Sequence, residues 1–387
     1  MSTATAQDSG AAPRRELVSQ AMAEPDLGYS DTEDALRSAV RRLFAERLSV
    51  TALNAATDLP APDFSGVWQT LTAELGVAGL LIPENLGGAG ATEREAAVVC
   101  EEIGRAVAPA PFLSSAVIAT DVLLHAGALD TVRRLADGES TAALVVSFAA
   151  TPDSAIGAIT DSGGSLTGTV TSVAGALEAD MLIVVAQGSD GSRLHVVAAD
   201  APGVRIEAIA AFDMTRPLAD VTLTSVVGTA VETDAETAVN SALQTGYAML
   251  ASEQVGIAQW CLETTLAYVK ERTQFGRKIG SYQAIKHRLA DLWLDVSSAS
   301  AAARYAADTA ARGESDAAIA AHVAAAYCSE VAVRAAEECV QLHGGIGMTW
   351  EYPAHLYLKR AKADQIALGS GFWHRARLAE LVDLAPA

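Results

Sequence analysis

Apolar positions repeat with two different periods along this chain, and the places where the period changes divide it into three. Ser30-Asp-Thr-Glu offers a helix cap followed by acidic first-turn residues, and Leu36, Val40, Leu43 and Leu48 then recur at helical spacing. A second helix is predicted from about Phe64 through Leu71 and Leu75, stopping at Gly76. A third opens at Thr92 and carries Ala97, Val98, Ile103 and Val107. From about Leu144 the period shortens. Residues 143–148, 165–173, 181–186, 193–198 and 220–226 are short runs rich in Val, Leu, Ile and Thr, parted by Gly, Asp and Ser, which predicts a small all-β unit. After Glu232 the helical period returns at Val255, Ala258, Leu262, Leu266 and Val269, then at Ile285, Leu289, Leu292 and Val296, then at Ile319, Val323, Tyr327 and Val331. Two further helical runs, 352–360 and 372–382, complete a bundle of four or more helices. The expected organisation is α+β: a flexible tail over 1–29, an amino-terminal helical domain over 30–140, a middle β domain over 141–232 and a carboxy-terminal helical bundle over 233–387.

Composition narrows the partners. Half of the 387 residues are hydrophobic, enough for several cores, and 27 basic against 47 acidic residues give 27 − 47 = −20. A field of that sign opposes nucleic acid and anionic membrane surfaces. Cys100, Cys261, Cys328 and Cys339 stand far apart without a Cys-x-x-Cys pair, so they read as small core residues rather than a metal site or disulfide framework. No apolar run reaches the ~18 residues of a membrane span, and the start of the chain lacks a signal-peptide apolar core. A cytoplasmic location is the expectation. Glycines 87, 88 and 90 precede the Thr92 cap, but no strand leads in and no Gly-Lys-Ser/Thr ending follows, so this loop is expected to be a turn.

Candidate chemistry lies between the first two long helices of the last unit. Glu271 to Gln283 reads Glu-Arg-Thr-Gln-Phe-Gly-Arg-Lys-Ile-Gly-Ser-Tyr-Gln. Arg presents a planar fork to phosphate and glycine admits close backbone approach, so the connector suits a diphosphate-bearing ligand. It equally suits a basic turn at a helix C-terminus, where the macrodipole favours cations. In so acidic a chain, Arg272, Arg277 and Lys278 form the local basic cluster that a polyanion requires.

A second stretch, Gln341-Leu-His-Gly-Gly-Ile-Gly-Met-Thr-Trp-Glu-Tyr-Pro, ends another helix. Together the two stretches resemble the acyl-CoA dehydrogenase family, whose carboxy-terminal domain carries both motifs. The resemblance covers nearly everything after about Ser30, including the Pro-Glu-x-x-Gly-Gly-x-Gly pattern at Pro83. It implies FAD as cofactor and an acyl-CoA thioester as substrate. In that family a glutamate removes a proton next to the thioester carbonyl while hydride leaves to the flavin. It also implies a flavin at a subunit interface, its adenosine diphosphate portion held by the partner's carboxy-terminal domain. The matching residues are Arg272 for the diphosphate, Gln274 and Gln283 for hydrogen bonds, Phe275 for packing, and the run Gln341, Leu342, His343, Gly344 and Gly345. For His343 a polar contact to the ligand and a helix-end cap are both open.

Three departures stand beside this resemblance. The family places its glutamate at one of two positions, here occupied by Leu368 and Gly246, and neither can move a proton. Tyr247 stands where an arginine usually follows. Glu253 lies on the helical face of Gly246 but about two turns away, roughly 10 Å, which is far for a stand-in base. Where the family holds its flavin ring with Thr-Glu-Pro-x-x-Gly-Ser-Asp, this chain reads Phe148-Ala-Ala-Thr-Pro-Asp-Ser-Ala, and no Trp-x-Thr follows. These features resemble the base-less subunit of actinobacterial heteromeric, α2β2-type acyl-CoA dehydrogenases, which often act on steroid side-chain CoA thioesters. The expectation is a chain with no catalytic residue, lending the adenosine-diphosphate half of an FAD site to a base-bearing partner. The rival expectations are a flavin monooxygenase or oxidase on the same scaffold, a non-catalytic scaffold subunit, and an active homo-oligomer relying on Glu253.

Overall fold

Reciprocal capping boxes start two helices of the first unit. Ser30 accepts from the Glu33 amide at 3.2 Å while the Glu33 carboxylate accepts from the Ser30 amide at 2.7 Å, opening α1 (Asp31–Arg47). Leu48 is the C-cap rather than a helical residue. The computed structural model describes residues 24–57 and 64–384. Next come α2 (Val50–Thr57), α3 (Ser65–Leu75) ending on left-handed Gly76, and α4 (Glu93–Ala106), opened by a Thr92–Glu95 capping box. A π-helical segment, Phe112–Ala119, then runs into α5 (Thr120–His125), and α6 (Leu129–Ala136) follows.

Most of the expected tail, 1–23, lies outside the described residues. Its end is not loose, and this corrects the boundary at 29. Tyr29 donates to Glu101 at 2.7 Å, with the Arg37 and Arg304 guanidinium groups 3.7 and 4.2 Å from its ring centroid.

The middle unit is a sheet of β1 (Ala142–Leu144), β2 (Ile159–Ser162), β3 (Ser165–Ala174), β4 (Met181–Gly188), β5 (Gly191–Ala198), β6 (Val204–Ala208), β7 (Leu218–Val227) and β8 (Thr229–Val231). Their spatial order is β6-β7-β3-β2-β4-β5-β8, with β1 pairing β4; β1 and β2 run parallel to β4 and the other pairs are antiparallel. β4 is buried on both faces: Met181, Ile183 and Val185 join the helical core, while Leu182, Val184 and Ala186 join a separate core on the sheet's far side. The first strand is shorter than expected, because residues 146–150 leave the ladder for turns.

The last unit holds α7 (Ala235–Glu271), a hairpin of β9 (Thr273–Gln274) and β10 (Arg277–Lys278), α8 (Gln283–Arg312), α9 (Ala317–His343), α10 (Ala354–Asp364) and α11 (Gly371–Leu381). The fold is therefore α+β, with helical, β and helical units in that order. Among the described residues no helix is long and apolar enough to cross a membrane.

α4 and α7 cross at two glycines. A Cβ on Gly104 would lie 1.9 Å from the Glu253 carbonyl, and one on Gly256 would lie 1.9 Å from the Glu101 carbonyl. Backbone meets backbone there, so no side chain can yield. Gly256→Ala is expected to lower the free energy of unfolding by about 3 kcal/mol or more, the upper range for overpacking. Gly66→Ala, which points into open space, should change it by less than about 1 kcal/mol. Urea titrations of the two variants check this.

Candidate functional site

The connector after α7 is built by its own turn chemistry. β9 and β10 pair Gln274 with Arg277, leaving Phe275 and Gly276 as a two-residue loop with both φ angles positive, 51° and 76°. Glycine adopts that conformation freely, whereas phenylalanine pays for it. The loop drives the Phe275 ring outward to 93% exposure. Arg272, Gln274 and Gln283 are exposed as well, and the Arg277 guanidinium stacks 3.7 Å from the Tyr282 ring centroid.

The second motif is brought alongside by Tyr268, one turn before Arg272. Its hydroxyl donates to the His343 carbonyl at 3.3 Å, and its ring lies 4.3 Å from the imidazole. Gly344 ends α9 with φ 62° and ψ −139°, a conformation essentially confined to glycine. Gly344 and Gly345 are exposed with open space at their Cβ positions; Gln341 is exposed too, and Leu342 is buried. Of the two readings of His343, the ring occupies the helix-end cap. Nδ1 donates to the Cys339 carbonyl at 2.7 Å and Nε2 accepts from the Tyr352 hydroxyl at 2.7 Å. Both ring nitrogens are thus engaged inside the protein.

The two positions where a carboxylate base was sought converge on one spot. A Cβ at Gly246 would lie 2.9 Å from Ile118 and 3.1 Å from the Leu368 side chain. Leu368, on the loop between α10 and α11, is buried, and its amide donates to the Phe148 carbonyl at 2.8 Å. The Trp373 indole, just after this loop, donates to Asp153 at 3.1 Å. About 20 Å³ of cavity remains among Leu113, Ile118, Phe148, Leu243, Leu368 and Arg216, and among the described residues no carboxylate lines it. That volume holds little more than one water molecule.

Glu253 is held in a buried ion-pair cluster. It is 1% exposed, and its Oε1 accepts from Arg216 at 2.6 Å and from Arg360 at 2.7 Å. Burial alone would raise its pKa; the two guanidinium charges outweigh burial and hold it below the usual carboxylate value. Arg360 also reaches Asp213 at 3.1 Å and Thr215 at 2.9 Å. Asp364, beside this cluster, is pushed up to about 8 by burial and by the Glu253 charge.

Tyr247 heads a buried aromatic cluster. Its hydroxyl lies 3.3 Å from His322 Nε2, and His322 Nδ1 lies 2.9 Å from His374 Nδ1. Burial lowers both imidazoles, His322 to about 4 and His374 to about 3, with the Arg377 charge adding to the first and His322 to the second.

Helical, β and helical units closing around Gly246 and Leu368 define the acyl-CoA dehydrogenase fold. Two family models match, "Acyl-CoA dehydrogenase, N-terminal domain" over residues 30–136 and "Acyl-CoA dehydrogenase, C-terminal domain" over residues 237–382. Acyl-CoA dehydrogenase IpdE2 of Mycolicibacterium smegmatis is 34% identical over 341 residues, covering 88% of this chain and 95% of the relative. The chain belongs to the acyl-CoA dehydrogenase family. Among solved structures, the Tcur3481–Tcur3483 steroid ACAD G363A variant aligns at 30% identity and a TM-score of 0.82, over 91% of this chain and 98% of that one. The ChsE4–ChsE5 complex from Mycobacterium tuberculosis aligns at 25% identity and a TM-score of 0.83, over 94% and 100%.

The cofactor of this family is FAD, and its two ends fare differently against these residues. An isoalloxazine ring needs a pocket of several hundred Å³, which the seam between Phe148 and Leu368 does not provide. The exposed guanidinium, amides and bare glycines of the motif face do suit a diphosphate.

The imidazole shifts set an acid limit. With unfolded-state values near 6.5, the unfolded chain takes up protons first as pH falls, so this contribution to stability is intact above about pH 6.5 and is lost as pH drops towards 4. Each such group adds a slope of up to about 1.4 kcal/mol per pH unit. His374→Gln is expected to flatten the fall between pH 6.5 and 4.5, measured by urea titration at each pH.

Proposed function

We propose that this chain is the base-less subunit of a heteromeric FAD-dependent acyl-CoA dehydrogenase, lending the adenosine-diphosphate half of a flavin site to a base-bearing partner. The observation that carries the reading is the meeting of Gly246 and Leu368 in a nearly filled apolar seam. A site without a carboxylate cannot take the proton, and a site without space cannot take the ring. The exposed motif face supports the other half of the reading. Arg272 pairs with the diphosphate, Gln274, Gln283 and Gln341 hydrogen-bond, Phe275 packs on the ligand, and Gly344 and Gly345 let backbone approach. Bound FAD supplies the hydride acceptor; this chain's residues bind and orient it and handle no proton. The similar Tcur3481–Tcur3483 and ChsE4–ChsE5 structures each pair two named chains, and the first is titled a steroid ACAD. The substrate proposed here is an acyl-CoA thioester, with a steroid side-chain CoA as the class to try first.

Purified alone, the chain is expected to hold far less than stoichiometric FAD and to show no dehydrogenation; with a base-bearing subunit it should yield a stoichiometric, active flavoprotein. Arg272→Ala in the assembled complex should weaken FAD at least about tenfold, as loss of a charge-assisted contact does. Stoichiometric FAD and full activity in the lone chain would sink the proposal. Undiminished FAD in the Arg272→Ala complex would instead make the chain a scaffold without a share in the site.

A further inference from the structure

The loop bearing Leu368 is held in an uncomfortable shape. Leu368 has φ 53°, the left-handed region that a branched side chain enters at a cost of roughly 1–3 kcal/mol. Its amide bond to Phe148 faces the seam. Beneath the loop, side chains from three helices form one hydrogen-bonded file. The His374 ring lies against the loop backbone, with Nε2 3.2 Å from the Cβ position of Gly369. Its Nδ1 lies 2.9 Å from His322 Nδ1, a contact in which one nitrogen donates and the other accepts, and His322 Nε2 lies 3.3 Å from the Tyr247 hydroxyl. The file runs from α7 through α9 and α11 to the loop. All three side chains are buried, and their ring centroids lie 4.9 to 5.2 Å apart, Tyr247 stacked on His322 and edge-on to His374.

Tyr247 directly follows Gly246, so the same stretch of α7 that makes room for the Leu368 side chain also anchors the file beneath it. We propose that Tyr247, His322 and His374 are positioning residues whose hydrogen-bonded file clamps residues 367–370 against Phe148 and keeps Leu368 seated in the apolar seam. This deepens the reading of the chain as a base-less subunit, on which it rests, by naming what holds its own site shut. Of the surrounding charges Arg377 bears on the file, acting against an imidazolium at His322, and each of its neighbours is engaged outside it. Asp153 is occupied by the Trp373 indole, Arg375 pairs with Glu330 at 2.7 Å, and Arg377 pairs with Glu380 at 2.8 Å.

Hydrogen exchange over residues 365–372 in the full-length lone chain tests the clamp. His374→Leu removes donor and acceptor and is expected to speed exchange of the Leu368 amide about tenfold, the worth of a hydrogen bond or two. His374→Gln restores a donor and an acceptor and should stay within about threefold of the unaltered chain. Tyr247→Phe removes a single hydroxyl and serves as the second variant where His374→Leu does not fold; it should accelerate the same amide by about threefold with helical signal unchanged. Equal exchange in His374→Leu and His374→Gln, or no acceleration in Tyr247→Phe, overturns the proposal. FAD content of the assembled complex is a separate readout: a lone chain that binds flavin stoichiometrically defeats the half-site reading, whatever the loop amide does.

Discussion

Arg360 is the residue on which the arrangement of the three units depends. From α10 its guanidinium reaches Glu253 on α7, Asp213 and Thr215 from the β unit, and the Ala108 carbonyl, 3.3 Å away, from the first helical unit. Such a buried cluster adds little net stability over an apolar replacement, because desolvation cancels most of the Coulomb gain. It does specify a geometry, since a guanidinium fork is satisfied only when every partner is in place. α10 leads straight into the loop carrying Leu368, so fixing Arg360 also fixes where that loop begins. The α4–α7 crossing at Gly104 and Gly256 sets the other wall by bringing backbones into contact beside Glu253.

Within that frame the residues at 246 and 368 act as one feature. A glutamate at either family position would be buried among Ile118, Leu113 and Phe148, where an unpaired carboxylate costs several kcal/mol. Glycine at 246 and leucine at 368 remove that cost together, because the leucine side chain occupies the room the glycine leaves. Phe148 and Leu368 then bond through their backbones across the seam, and the β unit closes onto the helical unit.

Much of this was legible in the sequence, and the gaps have physical causes. Long amphipathic helices and capped starts at Ser30 and Thr92 were readable because spacing and cap chemistry agree. β2, β6 and β8 were missed because three to five residues give too few alternations to register, and β6 is mostly exposed. The π-helical segment 112–119 is apolar but for Ser114 and Ser115 and is buried over most of its length, so no amphipathic period betrays it. Residue 253 shows the limit of helical-face arguments: spacing places it near Gly246, but only the fold reveals Arg216 and Arg360, 37 and 107 residues away in sequence. His343 likewise left two readings open, because which partners its ring takes, Tyr352 nine residues on and Tyr268 from α7, is set by the fold.

The motif face makes the opposite kind of demand. A lone chain gains nothing from a phenylalanine held at positive φ with 93% of its surface in water, or from Met348 and Trp350 exposed nearby in the second motif at 80% and 57%. Each is a cost in the isolated subunit that burial elsewhere must offset. Covering them against a partner reverses the sign, since aromatic and methionine side chains are those that subunit interfaces enrich. The same chain thus fills its own seam with side chains while keeping Phe275, Met348 and Trp350 at its surface, two features that the proposed heteromeric reading joins in one account.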